Sequence, residues 1–361
     1  MRQNPKVVVI TGASAGVGRA AAREFAGKKM RIGLIARDAE RLAKTKLEVE
    51  GLGGKGLVIS ADVADPEQVF GAAERIEQEL GPIDVWVNNA MTTVFSPLIQ
   101  IPADEYKRAT EVTYLGTVYG TMAALKYMVP RNHGTIIQVG SALAYRSIPL
   151  QAPYCGAKSA IRGFTDTLRC ELIHDKSKIH ITMVHLPALN TPQFVWCKSR
   201  LPRHPQPVPP IFQPEVAAKA VVWSAYHKRR ELFVARSTLK AALGTKLMPG
   251  TLDRWLAARA YDGQQTDETI SPDRPFNLFH PVTGDWAAQG NFSRRSKKSS
   301  LQLAITTHRR LFWAGAAVLL GAAAIRFVLS GRRNAAPAAG LDSEDSEEIW
   351  PEEHQSTEDA A

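Results

Sequence analysis

Three residues of types that can donate or accept a proton lie close together in the middle of the chain. Tyr154 precedes Lys158 by four residues, and Ser141 stands thirteen residues before the tyrosine, after a predicted strand at Thr135–Val139. In a helix, four-residue spacing puts a phenol and an ammonium on one face. A phenol has a pKa of about 10, and a cation one turn away favours the phenolate. The pattern predicts general acid–base chemistry by Tyr154 at a carbonyl or alcohol carbon, with Ser141 hydrogen-bonding the substrate oxygen.

A second chemical pattern is the glycine-rich turn near the start of the chain. A strand-like run, Val7–Ile10, leads into Thr11–Gly18 and then into a helical stretch. Gly12 permits a sharp turn, Gly16 lets a pyrophosphate approach the backbone, and Gly18 lets the helix pack on the strand. The helix N-terminus would then receive the phosphates, although a purely structural turn is the alternative. The residues predicted to contact a dinucleotide here are Thr11, Gly12, Ser14, Ala15, Gly16, Val17 and Gly18.

The end of the second predicted strand indicates which dinucleotide is bound. A ribose-binding acid is expected about 20 residues after the glycines, and this chain has Leu34-Ile35-Ala36-Arg37 there. A carboxylate would repel a 2′-phosphate, whereas a guanidinium offers a fork of donors that matches it. Arg37 therefore predicts NADP(H) rather than NAD(H). Because Asp38 follows directly, an ordinary surface arginine is the alternative.

Short β-branched runs alternate with longer helical stretches as far as about Arg236. The predicted strands are Val7–Thr11, Arg31–Ala36, Gly56–Ser60, Val85–Asn88, Thr135–Val139, Ile179–His185 and a last one near Glu231–Val234. Helices between them include Gly18–Lys28, Glu40–Glu50 and Pro66–Leu80. This alternation predicts an α/β fold with a Rossmann-type, doubly wound parallel sheet. The nearly continuous apolar strands are typical of a sheet that is covered on both faces.

Composition narrows the classes of function. The formal net charge is +10, but the basic residues of 294–310 adjoin an apolar segment, which favours a membrane surface over nucleic acid. No zinc-finger spacing or aromatic RNA-binding signature is present, and no nucleic-acid partner is expected. The three cysteines and the histidines show no metal-ligand or disulfide spacing, so no metal is expected. With a strand predicted a few residues from Met1, we expect a cytoplasmic catalytic domain.

The C-terminal third has several patterns. Leu201–Pro214 is dense in proline, and either a mobile flap over a pocket or a rigid surface loop would fit it. Thr238–Tyr261 is predicted to be helical. Asp262–Ser300 is polar and rich in glycine and proline, which predicts a linker. Its hydrophobic anchors are predicted to be Phe276, Phe279 and Trp286.

The apolar segment Leu311–Leu329 has nearly the length of a bilayer crossing, which needs about 20 residues. Arg326 interrupts it near one end, where its side chain could reach the headgroups. The predictions are a membrane-spanning or membrane-lying helix, or a helix docked on protein; the heavier basic flank before it would keep the catalytic domain cytoplasmic. The predicted divisions are 1–236 for an NADP-binding catalytic domain, 237–261 for a helical extension, 262–310 for a basic linker, 311–329 for the apolar helix and 330–361 for an acidic disordered tail.

Taken in order, these motifs resemble those of the short-chain dehydrogenase/reductase family over roughly residues 5–236. The motifs are Thr11–Gly18, Asp62-Val63, Asn88-Asn89-Ala90, Ser141, Tyr154–Lys158 and Pro187–Thr191. The resemblance implies a sheet with strand order 3-2-1-4-5-6-7 and frequent dimers or tetramers. It also implies that Asp62 and Val63 meet the adenine, Asn89 and Ala90 line the cofactor channel, Lys158 holds the nicotinamide ribose, and Pro187 and Thr191 approach the carboxamide.

Three residues depart from the family pattern. Met91 follows Asn89-Ala90 where the family has glycine, and Ala188 replaces the glycine after Pro187. Thr113 stands where the family has the helical asparagine of a proton relay, whose main-chain carbonyl helps to hold a water near Lys158. Threonine keeps that carbonyl and can free it by side-chain bonding within the helix, so we expect a working relay.

Two functions from different classes remain open at this point. The first is an NADP(H)-dependent oxidoreductase for a small lipophilic carbonyl or secondary alcohol. Its substrate would meet apolar residues of three loops: Phe95, Leu98, Leu143, Tyr145, Ile148, Phe194, Val195 and Trp196. The second is a non-catalytic nucleotide-binding scaffold or sensor that uses the C-terminal tail to bind membrane or partner. The complete Ser141, Tyr154 and Lys158 set favours the first.

Overall fold

A seven-stranded parallel sheet organises the chain. The structure is a computed structural model that describes residues 6–271, 273–284, 286–309 and 320–326. The sheet strands are β1 (Val7–Thr11), β2 (Arg31–Ala36), β3 (Lys55–Ser60), β4 (Ile83–Asn88), β5 (Thr135–Ser141), β6 (His180–Leu186) and β7 (Glu231–Phe233). Their order is β3-β2-β1-β4-β5-β6-β7, and every neighbouring pair is parallel. The predicted Rossmann-type sheet and its strand order are confirmed.

Eleven named helices flank or follow this sheet in the described part of the chain. They are α1 (Gly16–Ala26), α2 (Ala39–Gly51), α3 (Pro66–Glu79), α4 (Ala103–Thr110), α5 (Gly116–Arg131), α6 (Ala152–His174), α7 (Gln193–Trp196), α8 (Pro214–Ser224), α9 (Ala235–Leu247), α10 (Pro249–Gly263) and α11 (Leu301–Thr307). A π-helical turn, Glu111–Leu115, joins α4 to α5.

Alternate residues of the strands supply two cores, one on each face of the sheet. In β1, Val8 and Ile10 belong to the core that α1, α2 and α8 cover. Val7 and Val9 belong to the opposite core, which α3, α5 and α6 cover. All five residues of β1 are buried, as expected for a central parallel strand.

Helix starts differ in a way that matters for the site. Asp38 caps α2 by accepting a hydrogen bond from the Arg41 N–H, and Asp65 caps α3 by accepting from Glu67 and Gln68. At the start of α1 the N-cap residue is Ala15, and it makes no side-chain cap. The first N–H groups of α1 therefore have no side-chain acceptor, and that of Gly16 donates to the main-chain oxygen of Ala287 at 3.3 Å.

The strand order reverses between β1 and β4, the two neighbours on either side of the topological switch point. Connections leave in opposite directions there, so a crevice opens beyond the carboxyl ends of the strands. Both chemical patterns predicted from the sequence lie at those ends: the glycine-rich turn follows β1, and Ser141 ends β5.

The C-terminal region is more ordered than a linker. The single helix predicted at Thr238–Tyr261 is two helices, α9 and α10, divided at Met248 because Pro249 starts the second. Gln265–Thr269 pairs with Arg203–Pro205. Three further pairings lie outside the main sheet: Ile211–Phe212 with Ser296–Lys297, Val94–Phe95 with Lys198–Ser199, and the bridge from Leu189 to Phe212.

The chain divides by contacts into two compact units, Met1–Thr307 and His308–Ala361. Of the apolar segment predicted at 311–329, only residues 320–326 are described, and they are helical. Within the described ranges, no helix combines the length and apolar character that crossing a bilayer requires. Most of the apolar segment and the predicted acidic tail lie outside the described residues.

Candidate active site

Ser141 is positioned by the end of a buried strand. It is the last residue of β5, and its Oγ accepts a hydrogen bond of 3.1 Å from the Leu143 N–H. This bond caps the short 3-10 turn Ala142–Ala144. The side chain is therefore held by local backbone at the carboxyl edge of the sheet.

Tyr154 and Lys158 lie one turn apart on α6, as the sequence predicts. The Lys158 Nζ is 5.6 Å from the centroid of the Tyr154 ring. It donates a hydrogen bond of 2.6 Å to the main-chain oxygen of Val139 in β5. Only 3% of Lys158 is exposed, and burial lowers the pKa of its ammonium to about 8. The structure thus brings the three predicted residues together.

The ionisation of Tyr154 differs from the sequence expectation. Burial raises the pKa of Tyr154 to about 12, although a hydrogen bond with Ser141 opposes the rise. The expected lowering by Lys158 does not appear, because loss of water around the phenolate outweighs it and the ammonium is bonded to Val139. A phenol with a pKa of about 12 keeps its proton at neutral pH and can act as a proton donor.

The glycine-rich turn has the backbone geometry that its glycines predict. Gly12 and Gly16 have φ of +69° and +56°, a left-handed conformation in which a side chain is strained. A Cβ on Gly12 would lie 2.8 Å from the Ala90 Cα, and one on Gly18 would collide with the Gly12 oxygen. These three positions bring the turn, α1 and the end of β4 into close contact.

Thr11 and Asn89 fasten the glycine-rich turn to the end of β4. The Asn89 side chain donates to the main-chain oxygens of Thr11 and Gly12, at 3.0 and 3.3 Å. The Thr11 hydroxyl accepts from the N–H groups of Asn89 and Ala90, at 3.0 and 3.1 Å. Both side chains act through the backbone of the crevice.

Asp62 is part of an ion pair. Its carboxylate accepts a hydrogen bond of 3.0 Å from the Ala64 N–H and pairs with the guanidinium of Arg108. Val63 is buried, and a Cβ on Gly116 would press into its side chain. The adjoining wall at this end of the crevice is closely packed.

Arg37 lies at the predicted place, but its guanidinium is bonded to the distant C-terminal region. Its Nη2 donates to the Asn277 oxygen at 2.5 Å, and its Nη1 donates to the oxygens of Phe279 and Leu278 at 2.6 and 3.4 Å. Burial lowers the pKa of Arg37, while the charge of Asp62 raises it. The side chain predicted to bind the 2′-phosphate therefore already donates hydrogen bonds to three carbonyls.

Arg41 is a candidate that the sequence reasoning missed. It is 5% exposed, and its guanidinium carbon is 5.0 Å from the centroid of the Trp196 ring. The Nε is 2.9 Å from the Asp38 carboxylate, but Nη1 is buried without a hydrogen-bond partner in the described chain. Its position four residues after Arg37, on the first turn of a helix, was the signal available in the sequence.

Thr113 is buried in the π-helical turn, and its contacts differ from the expected intrahelical bond. Its hydroxyl donates to the Thr92 oxygen at 2.8 Å and accepts from the Thr92 N–H at 3.1 Å. Its main-chain oxygen accepts from the Thr117 hydroxyl at 3.0 Å. The Thr113 side chain thus fastens the loop after β4 to the π-helical turn. The Thr113 main-chain carbonyl already accepts one hydrogen bond.

One cavity of about 650 Å³ is lined by Ser141, Tyr154, Lys158, Asn89, Arg37, Arg41, Gly12 and Gly16; Thr11, Gly18, Asp62 and Thr113 are not among its lining residues. We call the part around Ser141, Tyr154 and Lys158 the tyrosine end, and the part around Arg37, Arg41 and the glycine-rich turn the arginine end. The cavity is also lined by further residues predicted from the sequence: Ser14, Ala15, Val17, Val63, Ala90, Pro187 and Thr191. Met91 and Ala188, which depart from the family pattern, line it as well.

The loops that were predicted to line the substrate side of the cavity do so only in part. Leu143, Ile148, Phe194 and Trp196 line it as expected. Phe95 packs instead beneath the loops, with Leu150, Cys197 and Leu201. Leu98 is 62% exposed, and the Tyr145 hydroxyl donates to Glu231 at 2.6 Å.

The apolar lining that the sequence reasoning missed comes from the helical extension. Leu252, Trp255 and Leu256 of α10 face the cavity, as do Ser237 and Ala241 of α9. The proline-dense segment contributes residues 206–210. No spacing in the sequence distinguished these residues from a surface helix, because their contact with the cavity depends on how α10 folds back.

Comparison with known proteins agrees with this geometry. The family described as short chain dehydrogenase matches residues 6–197. An oxidoreductase of Bacillus subtilis, YxnA, is 29% identical over 321 residues, which are 86% of this chain and 90% of that protein. The 3-dehydrosphinganine reductase of Danio rerio is 33% identical over 233 residues, which are 62% of this chain and 70% of that protein.

A solved structure extends the comparison to three dimensions. The alcohol dehydrogenase from the archaeon Thermococcus sibiricus, complexed with 5-hydroxy-NADP, has a TM-score of 0.55 at 26% identity; the match covers 64% of this chain and 96% of that one. With the family matched over more than half of its length, this chain belongs to the short chain dehydrogenase family of oxidoreductases.

Proposed function

We propose that this protein is an NADP(H)-dependent oxidoreductase that transfers a hydride between nicotinamide and a lipophilic carbonyl or secondary alcohol, with Tyr154 as general acid/base. The observation that carries the proposal is the single cavity shared by Ser141, Tyr154, Lys158 and the glycine-rich turn. Proton transfer and dinucleotide binding can therefore occur within one cavity. A scaffold or sensor would need dinucleotide binding but not proton transfer.

The residues present fit a dinucleotide. The N-terminus of α1 has no side-chain cap, and its Gly16 N–H donates only a long bond of 3.3 Å to the Ala287 oxygen, which a pyrophosphate could replace. Asn89, Ala90 and Pro187 line the cavity, as does Thr191, which lies beside Gly16 of the glycine-rich turn. When bound there, the nicotinamide would supply or accept the hydride.

The tyrosine end can manage the accompanying proton. With its pKa at about 12, Tyr154 holds its proton at neutral pH and can donate it to a developing alkoxide. Ser141 can orient the same oxygen from the end of β5. Lys158 is held against Val139 at the floor of the site. For the reverse reaction the phenol must lose its proton, which a nearby positive charge would favour.

Two arginines support the preference for NADP(H). Arg37 and Arg41 both line the arginine end; Asp38 lines it as well, and its carboxylate is paired with the Nε of Arg41. A buried guanidinium nitrogen without a partner, as in Arg41, is costly unless a ligand supplies an acceptor. The dianionic 2′-phosphate supplies several. The solved relative bound to 5-hydroxy-NADP is consistent with this choice.

The substrate class is argued from the cavity wall. Leu143, Ile148 and Phe194 on one side, and Leu252, Trp255 and Leu256 on the other, offer mainly apolar contacts. Burial of apolar surface contributes about 25 cal/mol per Å², which favours a lipophilic substrate. The relative from Danio rerio is named as a reductase of 3-dehydrosphinganine.

The experiment is NADPH consumption by the full chain with a panel of lipophilic ketones, repeated with Tyr154→Phe. We expect turnover in the wild type and a loss of about 10²- to 10⁴-fold in kcat for the variant, the usual contribution of a general acid. Tyr226→Phe is the matched control, since this tyrosine is 44% exposed and outside the cavity. A Tyr154→Phe variant that turns over at the wild-type rate would exclude the proposed mechanism.

A further inference from the structure

A stretch of the C-terminal region crosses the cavity on its arginine side. We call residues 276–284 and 286–292 the strap. It lies beyond residues 6–197, which match the family. Asn277 and Pro281 of the strap line the same cavity as Gly12 and Tyr154. A nucleotide that fills this cavity is therefore in reach of the strap.

The near part of the strap, residues 276–284, is fastened mainly through Arg37. Three consecutive strap carbonyls, those of Asn277, Leu278 and Phe279, accept hydrogen bonds from the two Nη atoms of this one side chain. Arg108 adds one bond of 3.2 Å to Leu278 while it pairs with Asp62. The Asn277 N–H donates to the Trp196 oxygen at 2.9 Å.

The far part of the strap, residues 286–292, is fastened to other groups. The Arg19 Nη1 donates to the Trp286 oxygen at 2.8 Å, and the Gly16 N–H donates to the Ala287 oxygen at 3.3 Å. The Gly290 N–H donates to the Asn190 oxygen at 3.2 Å. None of these far-part bonds involves Arg37, so the two parts can respond separately.

We propose that the strap and the 2′-phosphate of the cofactor compete for the guanidinium of Arg37, so that NADP(H) releases the near part of the strap whereas NAD(H) leaves it latched. The proposal rests on the proposed NADP(H) binding. The edge of the guanidinium formed by Nη1 and Nη2 cannot donate to these three carbonyls and to a phosphate at the same time. The phosphate dianion adds a Coulomb attraction to the guanidinium that a neutral carbonyl lacks, and its oxygens match the two N–H donors of one edge, so the phosphate displaces the carbonyls.

Release is limited to the near part by the contacts that remain. Leu278 is fully buried beside Val94 and Ala109, and Arg108 still reaches its carbonyl. Phe279 is 38% exposed, so carbonyls freed near it have access to water. The expected change is faster local opening around 277–279, with the far part unaffected by the 2′-phosphate.

The test is hydrogen–deuterium exchange of the full chain, read by mass spectrometry on peptides from the two parts of the strap. Samples contain no ligand, NAD⁺, NADP⁺ or 2′,5′-ADP, with saturation established by calorimetry. NADP⁺ and 2′,5′-ADP should speed exchange in the near part about tenfold relative to NAD⁺, the change expected for losing one charged hydrogen bond. The far part should exchange alike with NAD⁺ and NADP⁺.

Variants of the latch make the test independent of the cofactor. Arg37→Gln should exchange rapidly in the near part without ligand, and NADP⁺ should add nothing. Arg37→Lys, which keeps the charge but donates from one nitrogen, serves if the first variant fails to fold. Arg75→Gln, which removes an exposed guanidinium paired with Glu79 on α3, should behave as wild type.

The outcomes separate the strap from the proposed function. Unchanged or slower exchange in the near part at calorimetric saturation with NADP⁺ would overturn the competition while leaving NADP(H) binding intact. Wild-type exchange in ligand-free Arg37→Gln would overturn it as well. If calorimetry detects no binding of either 2′-phosphorylated ligand, both proposals fail together.

Discussion

The two ends of the cavity are built by different means. At the tyrosine end, Ser141 is the last residue of β5, an interior strand of the sheet, and accepts a bond from Leu143 in the next turn, while Lys158 donates to Val139 of β5. At the arginine end, Arg37 is held by a strap that joins the fold from about 240 residues further along the chain. The first end depends on the core of the domain and the second on a docked segment.

This difference has a consequence for rigidity. A side chain bonded to a buried central strand moves only when the sheet opens, which costs close to the full stability of the domain. A docked segment with a small apolar anchor can open at much lower cost. We therefore expect preorganised proton chemistry at the tyrosine end and adjustable nucleotide contacts at the arginine end.

A matched pair of leucines tests this contrast most strongly. Leu34 of β2 and Leu278 of the strap are both fully buried. Leu34→Ala should lower the free energy of unfolding by about 2–5 kcal/mol, because the packed sheet core cannot collapse to fill the space that the deleted side chain leaves. Leu278→Ala should cost less, since its loss cannot exceed the free energy with which the strap docks.

Urea denaturation of both leucine variants measures these losses, and limited proteolysis reports strap opening. Leu278→Ala should be cleaved faster than the wild type within the strap, whereas Leu34→Ala should lose stability throughout. Equal losses of unfolding free energy for the two variants would mean that the strap is part of the main cooperative core.

The buried ammonium at the tyrosine end predicts a pH-dependent stability. The pKa of Lys158 falls from 10.5 to about 8 on folding, so the folded state bears the cost of a charge without water below pH 8. As the pH rises from 8 towards 10.5, the folded state gives up the proton first and stability rises. Lys158→Met should therefore gain over wild type at pH 7, by on the order of 3 kcal/mol, and lose that advantage at higher pH.

Chemical denaturation between pH 7 and pH 10 checks this sign. Lys107→Met, at a side chain that is 76% exposed, is the control and should show a difference from wild type that does not vary in the same way. A constant stability difference between Lys158→Met and wild type across this range would contradict the expected effect of burial.

Arg41 provides the smallest and most specific test, at the arginine end. Removing its guanidinium should weaken NADPH binding about 10- to 100-fold, the value of one hydrogen bond to a charged group, while NADH binding stays nearly unchanged. Arg41→Gln is compared with Arg75→Gln by calorimetry with both nucleotides. Equal weakening of NADPH and NADH binding would assign Arg41 to packing on Trp196 rather than to the phosphate.

Much of the site could be predicted because each of its motifs lies within a short stretch of sequence. The left-handed conformations at Gly12 and Gly16, the helical spacing of Tyr154 and Lys158, and the position of Ser141 after a strand all follow from local patterns. The pKa of Tyr154 did not follow, because its direction depends on how much water the folded cavity excludes.

The strap shows where such local patterns stop being informative. The anchors predicted from hydrophobicity were Phe276, Phe279 and Trp286, yet Leu278 is the fully buried residue of the near part. The polar, glycine-containing composition is compatible with a loose linker. Its order comes from carbonyl groups, which every residue has, meeting the guanidinium of Arg37.

From the amino-acid order alone came the class of fold, the glycine-rich turn and the serine–tyrosine–lysine set, since each depends on periodicity or on spacing within one or two elements; the strand order came from the resemblance to the family that these motifs carry. Tertiary structure alone decided that Arg37 is latched, that Arg41 keeps a buried nitrogen without a partner among the described residues, and that α10 closes the cavity. Those features arise between segments far apart along the chain, where backbone groups and burial, rather than residue patterns, determine which atoms meet.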